Sequence, residues 1–262
     1  MDKLQKAIPG EIQPINYDDK ITLTARCLKY RYDFGGIKTS TVNITMNEIR
    51  QNVLKQLNIP ETFKDVSFAK FNTKDNAISF CGIKKAVDED LIGKTSMIFW
   101  SKDLYGVGKT HLLYAMAKEY ALSDKRFNVE RRGKEDVLVD YVGSSICVLS
   151  EYDFINQIKD TFKPNSEKTE GDVFARLNKF DVLCLDDVVK YTPMNLEFYH
   201  RIMFQLIDER YKNKKSIIIT TNKTLGQLGE CIGVATADRL YEMTKGFQLE
   251  FKGESHRSKQ GN

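Results

Sequence analysis

No two of the five cysteines (Cys27, Cys81, Cys147, Cys184, Cys231) lie close together in the chain, and no C-x-x-C occurs. That spacing argues against a zinc ribbon and against a dithiol redox motif. Long apolar runs are also missing. The longest, "MIFW" and "SIII", fall far short of the roughly 20 residues that a membrane helix needs, so no membrane association is expected. The first residues, "MDKLQKAIPGEIQP", lack the apolar core of a signal peptide. Cys147 and Cys184 sit in apolar stretches and read as buried thiols. Together these features predict a reducing, cytoplasmic setting. There is no internal repeat and no low-complexity tract. A dominant charge is missing too: 40 Lys and Arg face 36 Asp and Glu, a net charge of +4, which permits a nucleic-acid partner without requiring one. What remains is ordinary globular composition, 41% hydrophobic and 29% charged, at 262 residues, which suits one or two domains with a proper core.

The first 58 residues differ from the rest. "KITLTARCLKYRYDF" and "KTSTVNITM" are rich in β-branched and aromatic residues, with Gly35 and Gly36 between them, and predict a strand pair joined by a loop. "NEIRQNVLKQL" places Ile49, Val53, Leu54 and Leu57 at helical spacing behind a candidate cap, Asn47. Pro60 follows that unit, so residues 1–58 are expected to form a small N-terminal module and residues 59–262 the main domain. In the main domain, apolar runs ("SMIFW", "SICVLS", "FDVLCLDD", "SIIITTN", "GFQLEFKG") alternate with helical patterns ("KTHLLYAMAKEYAL", "EYDFINQIKDTF", "NLEFYHRIMFQLIDERYKNK", "ATADRLYEM"). Strands alternating with helices predict an α/β domain with a mainly parallel sheet flanked by helices. Residues 123–143, with Lys125, Arg126, Arg131, Arg132 and Lys134, read as a polar surface loop or a nucleic-acid contact.

Residues 101–113, "SKDLYGVGKTHLL", follow a predicted strand and open a predicted helix, the context of a phosphate-binding loop. Gly106 and Gly108 would let the backbone approach phosphate, with Val107 between them. Lys109 would reach the β- and γ-phosphates, and Thr110 would bind Mg²⁺. His111 continues the loop into the first helical turn, where packing suits it better than catalysis. Counting back from Gly108, the first glycine of the G-x-x-x-x-G-K-[ST] pattern is replaced by Asp103. Aspartate tolerates positive φ, so the turn can survive. Its charge predicts a side chain aimed away from the phosphates, toward solvent or Lys102. In "VLCLDDV" four apolar residues end in Asp186 and Asp187, at a strand end where ligands of parallel sheets bind. Asp186 is the expected Mg²⁺ ligand, and Asp187 the group that polarises the attacking water. Asn222, just past "SIIITT", would position that water or touch the γ-phosphate. Arg239 would stabilise charge in a neighbouring subunit's site, or else pair with Asp238 or Glu242.

"YGVGKTHLL", "FDVLCLDDV", "LIDERYKNKKSIIITTN" and "ATADRLYEM" together resemble the DnaC-type helicase loaders and IstB-like transposition helpers, which are AAA+ ATPases. The resemblance covers about residues 59–262 and implies a P-loop NTPase core. It implies Walker A at residues 106–110, Walker B at Asp186 and Asp187, sensor 1 at Asn222, an arginine finger at Arg239, and a further nucleotide sensor at Arg257. It also implies ATP and Mg²⁺ as cofactors, self-assembly through Arg239, and a replicative helicase or a transposase as partner. Single-stranded DNA is the implied nucleic acid, with residues 123–143 and the "KNKK" of Lys212 to Lys215 as the candidate basic track. Many relatives carry a cysteine-rich module near the N-terminus. Here only Cys27 lies there, so the partner surface does not carry over. Rival expectations are a transposition helper, a binding module that hydrolyses ATP weakly, and a P-loop small-molecule kinase. The kinase would need a lid and an acceptor pocket, and has no reason to carry Asn222 and Arg239 in this order.

Overall fold

The computed structural model describes residues 20–23, 42–45, 55, 57, 59–123, 126–132, 135–143, 145–191 and 193–256. The chain divides into two units, residues 1–52 with 126–142 and residues 53–125 with 143–262. In the first unit, β1 (Lys20–Leu23) runs antiparallel to β2 (Val42–Thr45), with Ile21 opposite Ile44, which is the predicted strand pair. The helix expected from "NEIRQNVLKQL" lies almost wholly outside the described residues, as does its candidate cap Asn47. β4 (Arg126–Arg132) and β5 (Glu135–Gly143) pair in a sheet of their own. This corrects the expectation of a surface loop at 123–143. Charge masked a β-branched and aromatic run of the kind strands use, with Val137, Leu138, Val139, Tyr141 and Val142 inside it.

The second unit is built on a five-stranded sheet. Its strands are β3 (Met97–Trp100), β6 (Ile146–Ser150), β7 (Val182–Val188), β8 (Ser216–Thr221) and β9 (Gln248–Glu250), in the order β6-β7-β8-β3-β9. Every neighbouring pair is parallel. Ile98, Leu183, Leu185, Ile217 and Ile219 have no exposed surface, as befits strands covered on both faces. The helices are α1 (Ala77–Asp88), α2 (Lys109–Ser123), α3 (Glu151–Asp160), α4 (Glu170–Lys179), α5 (Leu196–Lys212), α6 (Leu225–Ile232) and α7 (Val234–Met243). Among the described residues, no helix is long and apolar enough to cross a membrane.

Local chemistry sets where these helices begin. Ser150 caps α3 by accepting from the Asp153 N–H at 3.0 Å. Thr169 with Asp172, and Thr224 with Gln227, form capping boxes on α4 and α6. Gly233, at φ 88°, ends α6 and starts α7 in a backbone conformation that a side chain would strain. Arg210 on α5 is wholly buried and donates to the carbonyls of Leu177, Phe180, Asp181 and Ser216. It thereby ties the end of α4 to the starts of β7 and β8. Burial lowers its pKa to about 10, still well on the charged side of neutrality. In the "KNKK" stretch, Lys212 pairs with Asp208 at 2.6 Å, and Lys215 donates to the Asn178 carbonyl at 2.6 Å. Two of its lysines thus have partners within the chain.

Candidate active site

Three strands of the second unit end at one edge. β3 leads into the glycine loop and α2, β7 ends in Asp186 and Asp187, and β8 delivers Asn222. Between them opens a cleft of about 350 Å³, within the range of ligand pockets. It is lined by Gly106, Val107, Gly108, Lys109, Thr110 and His111, and by Asp187, Lys190 and Asn222.

Gly106 and Gly108 stand at φ 71° and 100°, which a side chain would disfavour. At Gly108 space is lacking as well, since a Cβ would come within 2.5 Å of the Phe71 ring. α2 begins at Lys109, so its first backbone N–H groups face the cleft, where an anion is favoured. The Lys109 ammonium is held at 2.6 Å by the Ser101 hydroxyl, at 2.7 Å by Asn222 Oδ1 and at 3.1 Å by the Leu104 carbonyl. Asn222 is buried and joins the loop directly.

Asp186 Oδ1 accepts from the Thr110 hydroxyl at 3.0 Å and from the Thr220 hydroxyl at 2.5 Å. Burial raises the Asp186 carboxyl above the usual range; the Thr220 hydrogen bond opposes this, and the neighbouring Asp187 reinforces it. A hydroxyl and a carboxylate oxygen this close suit a hard divalent cation that takes its other ligands from phosphate and water. Among the described residues, no cluster of three or more His, Cys, Asp or Glu side chains would hold a metal by itself. The Thr110 hydroxyl and the Asp186 carboxylate are a donor set that fits Mg²⁺. Asp187 has φ 59°; its N–H donates to Thr220 Oγ1 at 2.9 Å, and its Oδ2 accepts from Lys190 Nζ at 2.9 Å.

Asp103 adopts φ 52° and its N–H donates to the Asn222 carbonyl at 2.9 Å, so the aspartate serves the turn as a glycine would. Its side chain is about half exposed and pairs with Lys223 at 3.5 Å, not with Lys102. The partner comes from the loop after β8, which the sheet places alongside. His111 sits with Nε2 at 2.9 Å from the Ser67 carbonyl and its ring against Phe71. Burial lowers its pKa, the Ser67 contact opposes that, and Lys118, His256 and Lys70 add to the lowering. A neutral ring donating Nε2–H to Ser67 accounts for this, which is a packing role at the cleft wall.

Arg239 does not line the cleft. Its Nε lies 3.0 Å from Asp208 Oδ1, and its guanidinium stacks 4.8 Å over Phe204. The partner is on α5, whereas the sequence suggested Asp238 or Glu242 on its own helix. Glu242 instead accepts from the Tyr211 hydroxyl at 3.0 Å. Arg257 lies outside the described residues. The residue before it, His256, donates its N–H to the Gly106 carbonyl at 3.0 Å and lines the cleft. Ser101, Thr220, Lys190 and His256 were all missed in the sequence. The switch from isoleucine to threonine at the end of "SIIITT" was the one available signal among them.

The family of IstB-like ATP binding proteins matches residues 138–262. Over an alignment of 264 positions the chain is 24% identical to the replicative helicase loader DnaC of Escherichia coli (strain K12), covering 99% of this chain and 95% of that protein. Among solved structures, the DnaC helicase loader aligns with a TM-score of 0.55 at 20% identity, over 74% of this chain and 100% of that one. AMPPCP-bound DnaA from Aquifex aeolicus aligns with a TM-score of 0.53 at 20% identity, over 71% of this chain and 50% of that one. The family match, the full-length relatives and the shared fold together support a place for the chain among the DnaC-type, IstB-like AAA+ ATPases.

Proposed function

We propose that this protein is an ATP-hydrolysing helicase loader, acting on a replicative helicase in the cytoplasm. The observation that carries the reading is the convergence at one sheet edge: Lys109 contacts Asn222 at 2.7 Å, and Thr110 contacts Asp186 at 3.0 Å. In this reading residues 106–110 cradle the phosphates of ATP. Thr110 and Asp186 would hold Mg²⁺, which when bound draws charge from the phosphate oxygens. Asp187 orients a water toward the γ-phosphorus. The water oxygen bonds to phosphorus, the bond to the β–γ bridging oxygen breaks, and a water proton leaves toward Asp187. Asn222 fixes Lys109 while charge builds on the γ-phosphate. Arg239 is proposed to act in trans, which requires it to leave Asp208 when subunits assemble. Residues 1–58 are proposed as the partner-binding module, and single-stranded DNA as the assembly's ligand.

Relatives that match along nearly the whole chain are helicase loaders, which favours loading over transposition. The weakly hydrolysing alternative drew its support from Asp103, and the Lys223 pairing turns that carboxylate out of the argument. The deciding experiment measures ATP hydrolysis with and without single-stranded DNA for the wild type and Lys109→Ala. Hydrolysis abolished by Lys109→Ala is expected. A wild type inactive under both conditions would overturn the enzymatic reading.

A further inference from the structure

The end of β7 and the turn after it hold two side-chain-bearing residues in left-handed backbone, Asp187 at φ 59° and Val189 at φ 54°. For a β-branched residue that angle is a true outlier, and it persists only where the surroundings enforce it. Three contacts do so here. The Lys190 N–H donates to the Asp187 carbonyl at 3.1 Å and closes the turn. Thr220 Oγ1 accepts the Asp187 N–H at 2.9 Å. Glu151, buried at the start of α3, accepts the Val189 N–H at 2.9 Å and is itself engaged by the Tyr199 hydroxyl.

The product of this enforced turn is the placement of Lys190. Its side chain enters the cleft that Lys109 also lines, with Nζ 2.9 Å from Asp187 Oδ2. A polyanion bound there would face Asp187 as well as Lys109, whose ammonium is already shared with Ser101, Leu104 and Asn222. A cation standing between Asp187 and the terminal phosphate offsets that repulsion. Because the turn fixes it beforehand, it needs no reorganisation as charge develops.

We propose that Lys190 is a further catalytic residue, contacting the γ-phosphate of a bound nucleoside triphosphate and supplying a second cation from within the same subunit. This rests on the nucleotide reading above. Lys190 takes no proton and breaks no bond. It bridges the terminal phosphate and the carboxylate that orients water, and so distinguishes triphosphate from diphosphate.

The test compares affinities for fluorescent ADP and for AMPPCP, together with kcat, in the wild type, Lys190→Ala and Lys190→Arg. Thermal melting checks that each variant is folded, and Lys190→Met replaces the alanine variant if that one is not. The expected result is a loss of about tenfold or more in AMPPCP affinity and in kcat for Lys190→Ala, with ADP affinity unchanged and partial recovery in Lys190→Arg. Equal weakening of both nucleotides, or no change in either, would overturn the proposal while leaving the nucleotide site standing. A wild type that binds neither nucleotide would overturn the nucleotide reading itself, and this proposal with it.

Discussion

Replacing Thr220 with valine removes one hydroxyl and almost no volume, yet that hydroxyl serves both aspartates near the end of β7, Asp186 and Asp187. It donates to Asp186 Oδ1 at 2.5 Å and accepts the Asp187 N–H at 2.9 Å, in a side chain with no exposed surface. Losing the acceptor strands a peptide N–H, at a cost of about 1–3 kcal/mol. Losing the donor to a carboxylate costs about 1.5–3 kcal/mol, while the added methyl returns about 1 kcal/mol. The net expectation is about 3 kcal/mol of lost stability, which lowers Tm by about 6–12 °C at this chain length. The carboxylate's part depends on pH. Burial already raises the Asp186 carboxyl, and the Thr220 bond opposes that rise, so Thr220→Val raises it further. A carboxyl raised on folding contributes stability that is present below its unfolded value, about 3.9, and lost as pH rises through its folded value. The deficit of Thr220→Val should therefore be smaller at low pH and grow toward neutrality. Urea unfolding at pH 4.5 and 7.5 measures it, with Thr220→Ser as the control that keeps the hydroxyl. A valine deficit under about 0.5 kcal/mol would refute the bonding scheme. A deficit equal at the two pH values would refute the link to Asp186.

Gly108→Ala should abolish nucleotide binding and lower stability by about 1–3 kcal/mol, because φ 100° is strained for alanine and its Cβ would meet Phe71 at 2.5 Å. A nucleotide titration and a melt check this; wild-type values in both would show that the loop relaxes freely. Asp103→Gly should change nucleotide affinity by less than about 0.5 kcal/mol, since its carboxylate makes only an exposed pair with Lys223. A gain of orders of magnitude would place the charge in the phosphate cradle instead. Burial raises the Glu151 carboxyl, with the bonds from Tyr199 and Val189 opposing, so the wild type loses stability as pH rises from about 4.3 through that raised value. Glu151→Gln lacks this titration, and its Tm relative to wild type should climb between pH 4.5 and 7.5; a flat difference would count against it. Mixing Arg239→Ala with Lys109→Ala subunits should restore part of the ATPase activity if the arginine acts in trans, and an inactive mixture would argue that it does not.

The parallel sheet was legible because "VLCL" and "SIII" are apolar without alternation, and the glycine loop between β3 and α2 because strand, glycines and helix stand in one short segment. Other elements were hidden for separate reasons. α6 contains Gly226 and Gly229, which weaken a helical signal, although a Cβ at Gly229 would crowd the Tyr241 hydroxyl across the contact with α7. β4 and β5 were hidden by their charge. Around the cleft, what escaped the sequence was adjacency. Thr220 matters because β8 lies beside β7, where the register shifts between Leu185 and Val188. Lys223 meets Asp103 because β8 also lies beside β3. Lys190 matters through a left-handed turn that "DDVVK" does not advertise.

The loops after β3 and β8 are sewn together, by the Asp103 N–H on the Asn222 carbonyl, by Lys223 on Asp103 and by Lys109 on Asn222. Two residues beyond Asn222, Thr224 caps α6, and Gly233 passes directly from α6 into α7 and Arg239. Asn222, which holds Lys109 of the glycine loop, and the half-buried Arg239 are therefore joined by one short, continuous run of backbone. Any change in the position of Asn222 would reach Arg239 only through two short helices joined at a single left-handed glycine.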